Sequence, residues 1–515
     1  MKKIIDLNEA TNLVAKLKKQ GKIVVNVHGC FDLFHNGHLL FFKAAKKLGD
    51  ILFVTLTPDK FISKGPGRPL FDQFSRQEFI SNLEIVDYVM INDSADAISL
   101  LKSIKPNISA RGIEYKDHSK DITGKIKLEE KALNSVGGKM VYLNTITNSS
   151  TNLINNNFNH LNNDQKFFRD SVKKVLKSDQ IINFFDEIKN KSILVIGEPI
   201  IDEYAFCNTL GSSTKHNTIS AQLYDSIKME GGSLAIKNHL SNFVKKVDLL
   251  GIFGGQNIHL LGRKILKKFP KVIFSPNTLT PHKKKYISIG YPNPISMILS
   301  SDKIDTSSRL FSISEMPKFD WGGAKKKFNT KLKKIIKNYD FVIVSDFGHG
   351  LIDNESIKII KSNANFLSVN SQTNSANFGF NNIQRYKNAN LVCIDELEAR
   401  LALQDRTSQI EIIIKNLAKK INCKNLLITR GSQGMISYFN KKINYAPALT
   451  NYVNDAVGAG DAVLTIASLL IYLKKSSDLT LLLSSIMGMI ATKIVGNSRS
   501  INKDEIIKNA TGFIN

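Results

Sequence analysis

The sequence predicts an α/β chain with two domains. Its 515 residues are too many for one ordinary hydrophobic core. Over residues 22–145, short apolar runs alternate with helical stretches, which is typical of a doubly wound parallel sheet with helices on both faces. A polar, asparagine-rich stretch covers residues 155–164, and the apolar run at 192–197 then predicts the first strand of a second domain.

Hydrophobic periodicity predicts the elements of the first domain. Residues 5–20 have the amphipathic pattern of a lead-in helix, and residues 39–48 have a second helical pattern. Residues 23–27 form an apolar run that is typical of a buried parallel strand. Further strands are predicted, in chain order, at 51–57, 88–91, 108–110 and 140–143.

The same patterns predict the domain boundaries. We expect a first domain over residues 1–155 and a second domain over residues 191–515. Residues 156–190 are predicted to be a linker and a helix, the helical pattern covering 165–189. Because a cut in the asparagine-rich stretch crosses little apolar core, we expect the two halves to fold independently.

Composition limits the class of protein. The 42% of hydrophobic residues predicts a folded chain, and the absence of a run of 18 apolar residues predicts no membrane span. The first six residues reach an aspartate early and have no long apolar core, so we expect no secretory signal. Four scattered cysteines without metal-ligand spacing are expected to be reduced thiols in the cytoplasm.

The net charge of +26 raises the alternative of a nucleic-acid-binding protein. The lysines are spread along the chain, however, and we find no recognition helix or aromatic RNA platform, so nucleic acid is not an expected partner. Salt-sensitive binding to random duplex would support that alternative. Two short basic runs lie at 281–285 and 325–327; the first is a candidate contact for a phosphorylated sugar, and the second is more typical of a solvated face.

Residues 28–38 connect the first predicted strand to a helix. Gly29 and Gly37 permit a tight turn and a close approach to a ligand. The helix start offers free N–H groups and a partial positive charge, which favour phosphate. Here His35 and His38 could donate hydrogen bonds to phosphoryl oxygens as negative charge develops. The alternative is two histidines in a surface loop; their position after a strand favours the phosphate site.

This junction resembles the nucleotidyltransferases of the cytidylyltransferase superfamily, whose signature is His-x-Gly-His. The resemblance covers roughly residues 20–156, and the segment 64–69 is similar to that of heptose-1-phosphate adenylyltransferases. It implies that His35 and His38 are catalytic and that Lys46, two turns into the helix, binds phosphate. The residues that it implies for binding the nucleotide or its phosphates are Gly29, Cys30, Phe31, Arg76, Arg111, Ser149, Ser150 and Thr151.

A second glycine-rich junction precedes a predicted apolar helix at 462–473. Gly458 and Gly460 remove side chains from the helix entrance, so that the backbone N–H groups around Ala459 can hold a phosphoryl group. Asp461, in the first turn, can accept the proton of an attacking hydroxyl. The alternative is a glycine-rich helix start with an N-capping aspartate.

This segment resembles the closing signature of the ribokinase-like PfkB sugar kinases, with Ala456 in place of a threonine. The resemblance spans residues 190–510 and implies a ribokinase-like doubly wound domain with Asp461 as the catalytic base. It implies that Glu396 is associated with Mg²⁺. The residues that it implies for sugar binding are Asp202, Gly231, Gly232 and Asn238. Those that it implies for nucleotide binding are Thr429, Gly431, Gly434, Gly458, Ala459 and Gly460.

The two resemblances together imply a bifunctional enzyme similar to the heptose-phosphate kinase/adenylyltransferases, with the domain order reversed. One domain would phosphorylate a sugar phosphate with ATP, and the other would transfer a nucleotidyl group, AMP, to a sugar-1-phosphate. Expected partners are nucleoside triphosphate, sugar phosphate and Mg²⁺, without a membrane, and a homodimer stays open. The alternative is a CTP-dependent cytidylyltransferase acting on a polyol or sugar phosphate, with a divergent or inactive kinase domain.

Overall fold

The computed structural model describes residues 3–94, 96–117, 125–144, 161–213, 216, 218–257, 260–289, 309–317, 321–375, 377–450 and 453–514, with the backbone alone for 260–263. The chain divides into two compact units. The first consists mainly of the residues up to Asn162, and the second begins at Asn163.

The first unit is built on a five-stranded parallel sheet of order β3-β2-β1-β4-β5. Its strands are β1 Val24–Gly29, β2 Ile51–Leu56, β3 Tyr88–Ile91, β4 Ile108–Gly112 and β5 Lys139–Leu143. The strand order reverses between β1 and β4. In doubly wound sheets ligands bind outside the carboxyl ends of the strands at such a point, which is where the histidine-containing junction after β1 begins.

Helices cover both faces of this sheet. They are α1 Leu7–Lys19, α2 Asn36–Lys46, α3 Gln73–Ser81, α4 Ile98–Ile104 and α5 Lys125–Asn134. Alternation along β1 sorts its side chains between two cores. Val25 and Val27 pack in one core with Phe42 of α2, whereas Val24 packs in the other core with Val14 of α1.

The predicted strands and lead-in helix of the first unit are confirmed to within two residues. One boundary differs, because α2 begins at Asn36 and not at residue 39. His35 caps the helix: its Nδ1 accepts a hydrogen bond from the Gly37 N–H at 3.1 Å. A histidine cap is not among the usual Ser, Thr, Asp and Asn signals, so the pattern placed the start one turn late.

The second unit starts with two helices, α6 Asn163–Val175 and α7 Ser178–Ile188. The prediction of a single helix over 165–189 is therefore wrong. Lys177 interrupts it with an extended backbone, φ −117° and ψ 153°. Leu176 at the break is buried, as are residues on both helices, so the apolar periodicity continues through the interruption and did not reveal it.

The main sheet of the second unit has eight strands in the order β19-β18-β17-β16-β15-β14-β6-β9. Its strands are β6 Ser192–Gly197, β9 Lys246–Leu250, β14 Phe341–Asp346, β15 Leu367–Ser371, β16 Leu391–Asp395, β17 Asn425–Thr429, β18 Met435–Phe439 and β19 Lys442–Ala446. The pairs are parallel from β9 to β17, and β18 and β19 are added antiparallel. The strand predicted at 192–197 is confirmed as β6.

A separate four-stranded sheet has the order β13-β12-β7-β8. Its strands are β7 Pro199–Ser212, β8 Ile219–Gly232, β12 His282–Ser288 and β13 Arg309–Glu315. Strand β7 pairs parallel with β12 and antiparallel with β8. Two short strands, β10 Ile252–Gly254 and β11 Ile273–Ser275, pair with each other.

The helices after β8 complete the unit. They are α8 Ser233–Ser241, α9 Leu260–Lys268, α10 Gly322–Ile335, α11 Asn354–Asn363, α12 Glu396–Leu403, α13 Ile410–Ile421, α14 Ala459–Tyr472, α15 Ser477–Lys493 and α16 Lys503–Ile514. Helix α14 is a core helix, with every residue from Ala462 to Ile471 buried, so its first turn is the part that can meet a ligand. Among the described helices, none has the length and apolar character needed to cross a membrane.

Candidate active sites

The first candidate site lies where β1 ends and α2 begins. His35 caps α2, and the imidazole rings of His35 and His38 stack with their centroids 4.0 Å apart and their planes 21° apart. The edge of the Phe31 ring faces His38 at 5.2 Å. The structure therefore brings the two predicted histidines together at a helix N-terminus, where free N–H groups favour an anion.

Electrostatics keep His38 neutral in the free protein. Burial, with the nearby charges of His35 and Lys64, lowers the pKa of His38 to about 3. A neutral imidazole can donate through one ring nitrogen without bringing a permanent positive charge. A bound polyphosphate would raise this pKa, because it would replace the neighbouring positive potential with a negative one.

The backbone turn at Gly29, Cys30 and Phe31 is tightly packed. Phe31 has φ +48°, which is uncommon for a residue with a side chain, and a Cβ at position 29 would lie 2.8 Å from the Phe31 ring. The glycine is therefore required by the ring that covers it. The Cys30 carbonyl accepts a hydrogen bond from Arg76, and burial raises the pKa of the Cys30 thiol, so it is a protonated, inert group here.

Arg76 stabilises this turn through hydrogen bonds to backbone carbonyls. Its guanidinium donates to the carbonyls of Cys30 at 2.5 Å, Thr57 at 3.0 Å and Phe71 at 3.0 Å, and it pairs with Asp59 at 2.5 Å. Only 1% of the side chain is exposed. With its donors committed to protein groups, Arg76 positions the turn, and its placement does not support the predicted phosphate contact.

Arg111 has a similar structural role at the end of β4. It donates to the His28 carbonyl at 2.6 Å and pairs with the buried Glu129 at 2.5 Å. Its guanidinium therefore contacts the carboxyl end of β1 and stabilises the strand end that leads into the site. Three further predicted residues, Ser149, Ser150 and Thr151, lie outside the described residues.

Lys46 is not brought to the histidines. It is the last residue of α2, about 15 Å along the axis from the helix start. There it forms an ion pair with Asp87 and donates to the Asp50 carbonyl at 2.6 Å. These partners precede β3 and β2, at the amino edge of the sheet, so the placement argues against the predicted phosphate-binding role.

Two cations that the sequence analysis did not single out lie closer to the histidines. The charge of Lys64 lowers the pKa values of both His38 and Cys30. Arg68 pairs with the buried Asp32 at 2.5 Å, and both terminal guanidinium nitrogens are buried without a hydrogen-bond partner among the described residues. Both residues belong to the segment 64–69, whose similarity to heptose-1-phosphate adenylyltransferases was the signal for them. The sequence alone did not assign a role to either residue.

The second candidate site surrounds the start of α14. Gly458 caps this helix with φ +83°, and a Cβ there would lie 2.5 Å from the Asn497 side-chain oxygen. In the first turn Ala459 is half-buried and Gly460 is exposed, so the backbone there can approach a ligand. This is the arrangement that the glycine pattern predicts.

Asp461 and Asp202 are brought together at this helix start. Burial and the negative charge of Asp202 together raise the pKa of Asp461 to about 7, against the opposing charge of Lys283. Burial also raises the pKa of Asp202, against the charges of Lys285 and Lys283. A carboxyl with a pKa near 7 is well matched to accept a hydroxyl proton at neutral pH.

Gly231 and Gly232 shape the space around Asp202. A Cβ at position 231 would overlap an Asp202 carboxylate oxygen, so only glycine lets that carboxylate occupy its position on β7. Gly232 has φ +58°, which also favours glycine, and it caps α8. Both glycines are thus placed as the sequence predicts, beside the candidate sugar-binding aspartate.

Asn238 lies on the opposite side of the β7–β8 ribbon. Its amide donates to Glu230 at 2.6 Å. Glu230 is paired with Ile201, whereas Asp202 is paired with Met229, so the two carboxylates point to opposite faces of the ribbon. The placement of Asn238 therefore argues against the predicted sugar contact.

Glu396 is likewise committed to protein groups. It accepts from Arg400 at 2.7 Å and from Arg430 at 2.8 Å, and these arginines overcome the effect of burial and lower its pKa. Glu398, two residues later, is buried, and its two oxygens accept the N–H groups of Thr373 at 2.8 Å and Asp395 at 2.9 Å. Its pKa is raised to about 8 by burial, by Asp395 and by Asp461. Glu398, and not Glu396, is therefore the helix α12 carboxylate that faces the start of α14.

Thr429, Gly431 and Gly434 form the turn from β17 to β18. Thr429 is in register with Asp395 at the same carboxyl edge of the sheet, and Gly431 and Gly434 have φ of +56° and +80°. A Cβ at Gly434 would overlap the Ala446 carbonyl. The turn thus lies at the same edge of the sheet as Asp395, the residue that caps α12.

A buried carboxylate pair was missed by sequence reasoning. Glu198 follows β6 and Asp346 ends β14, and burial with the Asp346 charge raises the pKa of Glu198 to about 7. Glu198 accepts the N–H groups of Phe347 and His349 at 3.1 and 3.3 Å. His349 is also buried, and its Nε2 has no hydrogen-bond partner in the described part of the chain.

Comparison with known families defines the class of each half. A family model described as Cytidylyltransferase-like matches residues 27–157. A second model, described as pfkB family carbohydrate kinase, matches residues 316–480. The chain therefore joins a cytidylyltransferase-like domain to a PfkB carbohydrate kinase domain. The predicted fold class of two α/β domains and the predicted order are confirmed.

Similar proteins share the first of these domains. A bifunctional protein HldE of Campylobacter fetus subsp. fetus is 35% identical over 156 residues, which cover 30% of this chain and 31% of that protein. A bifunctional protein HldE of Nitratiruptor sp. is 37% identical over 139 residues, or 26% of this chain and 30% of that protein. The chain thus spans about a third of the length of the curated relatives it matches.

Solved structures similar to this chain include phosphofructokinase-2 from Escherichia coli in complex with substrates and products. It has 12% identity, a TM-score of 0.47, and coverage of 62% of this chain and 98% of that chain. Arabidopsis thaliana ribokinase, solved with ribose and ATP, has 14% identity, a TM-score of 0.46, and coverage of 62% and 99%.

Proposed function

We propose that this chain makes a nucleotide-activated sugar in two steps. The kinase domain phosphorylates a sugar phosphate with ATP, and the nucleotidyltransferase domain transfers AMP to a sugar-1-phosphate and releases pyrophosphate. The observation that carries the proposal is the presence, in one chain, of the stacked His35–His38 pair and of Asp461, each at the start of a helix that can hold phosphate. The similarity of the segment 64–69 to heptose-1-phosphate adenylyltransferases supports a heptose phosphate as the sugar.

In the first reaction the acceptor hydroxyl attacks the γ-phosphorus of ATP. Asp461 accepts the hydroxyl proton, and the backbone N–H groups at residues 458–460 stabilise the transferred phosphoryl group. Asp202, whose charge reaches Asp461, orients the sugar by accepting hydrogen bonds from its hydroxyls. Positioning and charge stabilisation account for the rate, and no covalent enzyme intermediate is needed.

In the second reaction the sugar-1-phosphate attacks the α-phosphorus of the nucleotide, and pyrophosphate leaves. His35 and His38 donate to the phosphoryl oxygens as charge develops, with Lys64 as the nearby cation. The Cys30 to Phe31 turn, held by Arg76, places backbone close to the nucleotide.

Mg²⁺ fits the kinase site as a companion of ATP. The described residues contain no group of three or more His, Cys, Asp or Glu side chains arranged for a metal. Mg²⁺ usually keeps waters and binds through one or two carboxylates and the substrate phosphates. Glu398 accepts two backbone N–H groups, which leaves lone pairs on its carboxylate through which it would hold the ion. Bound Mg²⁺ would supply charge neutralisation between the phosphates.

We also propose a cytoplasmic location and a kinase domain that begins at Asn163, earlier than the predicted residue 191. The compact unit that begins at Asn163 includes α6 and α7, which favours placing both helices with the kinase domain. The small-molecule substrates and the four free cysteines favour a reducing, intracellular compartment.

The test is a substrate panel with the full chain. ATP and CTP would each be incubated with sugar phosphates and sugar-1-phosphates, with products identified by mass and pyrophosphate release measured. Formation of an ADP-sugar together with a sugar bisphosphate supports the proposal. Transfer from CTP alone, with no sugar phosphorylation, would instead support a cytidylyltransferase with an inactive kinase domain.

A further inference from the structure

One edge of the eight-stranded sheet in the second unit is rich in lysine. At this amino edge, where the parallel strands begin, lysine occurs in the segments before β6, β9, β14, β16 and β17 and in the turn from β18 to β19. Neighbouring segments are joined by backbone hydrogen bonds, for example from the Lys245 N–H to the Lys189 carbonyl at 2.9 Å. The fold thus gathers lysines that are dispersed along the sequence. They are Lys189, Lys191, Lys245, Lys246, Lys337, Lys387, Lys424, Lys441 and Lys442.

The lysine side chains of the amino edge face solvent. All of them are exposed except Lys191, which is half-buried. Lys189 pairs with an aspartate of α7 at 3.1 Å, and within the described ranges none of the other lysines of this set forms an ion pair with a carboxylate. Acidic side chains nearby already have partners. Asp248 pairs with Lys271 at 2.6 Å, and Asp340 accepts from the first residue of β6 at 2.7 Å. The positive charge of the edge is therefore largely uncompensated.

The opposite, carboxyl edge of the same sheet has acidic groups. Glu198, Asp346 and Glu398 lie there, as does Asp461 at the start of α14. The two edges are separated by the length of a strand, and the six residues of β14 span about 17 Å. Since charges in solvent are screened over about 8 Å at physiological salt, the exposed lysines act little on a ligand at the carboxyl edge. They are therefore not part of the kinase site.

Helix ends explain only part of the lysine content. The helices run opposite to the parallel strands, so their carboxyl ends lie at the amino edge, where lysine balances the helix dipole. Such lysines occur in the last turns of α10 and α13, namely Lys333, Lys334, Lys419 and Lys420. In contrast, Lys245, Lys424 and Lys441 belong to no helix, and the dipoles of strands are small. Their charge has no comparable structural role, which favours a role in binding.

The chemistry of the edge favours a lipid surface over nucleic acid. The described connecting segments of this edge contain no arginine, the residue that binds phosphates and bases bidentately. They also contain none of the exposed large hydrophobic side chains, so no aromatic ring is available to stack on a base. Anionic lipid headgroups require neither feature, because lysines near a negatively charged membrane surface are attracted by their summed charge.

We propose that the amino edge of the eight-stranded sheet binds anionic lipid headgroups at a membrane surface. The contact is electrostatic and peripheral, because the described segments of the edge offer no large apolar side chain for insertion. Binding would direct the carboxyl edge, with Asp461, away from the lipid, so that substrates reach it from solvent. The inference is independent of the reaction that either domain catalyses.

The experiment compares two variants of the full chain that lose the same formal charge. The edge variant combines Lys387→Gln, Lys424→Gln, Lys441→Gln and Lys442→Gln. The control variant changes exposed lysines in the first half or the middle of helices, away from the amino edge. It combines Lys326→Gln, Lys327→Gln, Lys358→Gln and Lys415→Gln. Binding would be measured by co-sedimentation with vesicles of phosphatidylcholine, with and without phosphatidylglycerol.

We expect wild type and the control variant to bind the vesicles that contain phosphatidylglycerol and not the neutral ones. The edge variant should bind about 100-fold more weakly or less, because each lysine near an anionic surface contributes about fivefold in affinity. Raising the salt from about 0.1 to 0.5 M should release wild type. Equal losses in the two variants, or equal binding of wild type to neutral and anionic vesicles, would overturn the inference.

A second edge variant tests the other end of the sheet. It combines Lys245→Gln, Lys246→Gln and Lys337→Gln and should also bind more weakly, whereas unchanged affinity in both edge variants would overturn the inference. Thermal unfolding and nucleotidyl transfer should match wild type in every variant, since exposed substitutions rarely affect stability. Random-sequence duplex DNA is the competing ligand. If the edge variants lose duplex binding and keep vesicle binding, the edge is a nucleic-acid surface and the lipid proposal fails.

Discussion

The two candidate sites use the same backbone device with opposite side-chain chemistry. Each places a helix start after a glycine turn, so that backbone N–H groups can meet an anion. In the first site the neighbouring groups are two imidazoles, and the pKa of His38 is lowered to about 3. In the second they are carboxyls, and the pKa of Asp461 is raised to about 7. A helix start therefore favours a phosphate ligand. The side chains around it decide whether the site donates hydrogen bonds to the negatively charged phosphoryl oxygens or accepts a proton from the attacking group.

The largest effect should come from removing the proton acceptor of the second site. Asp461→Asn keeps the size of the side chain but should lower sugar phosphorylation by about 100- to 10,000-fold, the usual contribution of a positioned base. ATP binding should persist, because the anion contacts are backbone groups. Nucleotidyl transfer by the same variant, measured by pyrophosphate release, should equal that of wild type. Equal kinase activity in variant and wild type would remove Asp461 from the mechanism.

The corresponding change in the first site is His38→Ala. It should lower nucleotidyl transfer by about 100-fold or more, because it removes a donor to charge that develops in the transition state. Sugar phosphorylation serves as the internal control and should not change. Near-normal nucleotidyl transfer by a folded variant would contradict the proposed role of His38. The two sites would then share the backbone geometry of the helix start but not a catalytic side chain beside it.

Lys64 and Lys46 sharpen the comparison, because they test which lysine belongs to the first site. Lys64→Ala should lower nucleotidyl transfer by about tenfold or more, since it removes a cation whose charge reaches His38. Lys46→Ala should leave the rate within about twofold and act on thermal stability, because it breaks the Asp87 ion pair. The reverse order of effects would restore Lys46 as the phosphate-binding residue.

The pH dependence of the two reactions should also differ. With a pKa of about 7, Asp461 is about one-tenth ionised one pH unit lower, so kcat/KM for the sugar phosphate should be about tenfold below its plateau at pH 6. His38 is already neutral at that pH, so nucleotidyl transfer should show no such loss from this group. The measurement is kcat/KM for both reactions between pH 5.5 and pH 9; parallel profiles would contradict it.

The smallest effect concerns stability. The folded pKa of Asp461 lies above its ordinary value, so protonation favours folding; this contribution is present at low pH and is lost as the pH rises through about 7. Asp461→Asn should therefore be more stable than wild type at pH 8, by on the order of 1 kcal/mol, and the difference should shrink towards pH 4. Urea unfolding at both pH values measures it, and a variant less stable at pH 8 would argue against a raised pKa.

Local patterns in the sequence predicted the parts of both sites that depend on the backbone. The strand before His35, the glycine turn before Asp461 and the glycines beside Asp202 were all placed correctly, since period and glycine position act within a few residues. The order of the two domains followed from the same motifs.

The roles that the sequence left open depend on where a side chain points. Arg76 has the residue type of a ligand contact, but its role depends on carbonyls from three segments that only the fold brings together. Glu396 and Glu398 both open α12, and the phase of that helix decides which one faces Asp461. Lys46 lies on α2 as the helical pattern predicts, but at the end of the helix that is remote from His35 and His38. The pattern shows that a residue belongs to a helix and does not show whether its side chain reaches a ligand at the helix start.

The alternation of lysines along β12 means that the register of that strand decides which lysines share a face with Asp202. Insertion or deletion of one residue in the segment 276–281 would move Lys284 to that face and turn Lys283 and Lys285 away from it, since a one-residue slip exchanges the two faces of a strand. The slip would leave the total charge almost unchanged. It would also separate Lys284 from Glu203, with which it forms an ion pair, so we expect chains with such length changes to lose sugar phosphorylation while nucleotidyl transfer continues.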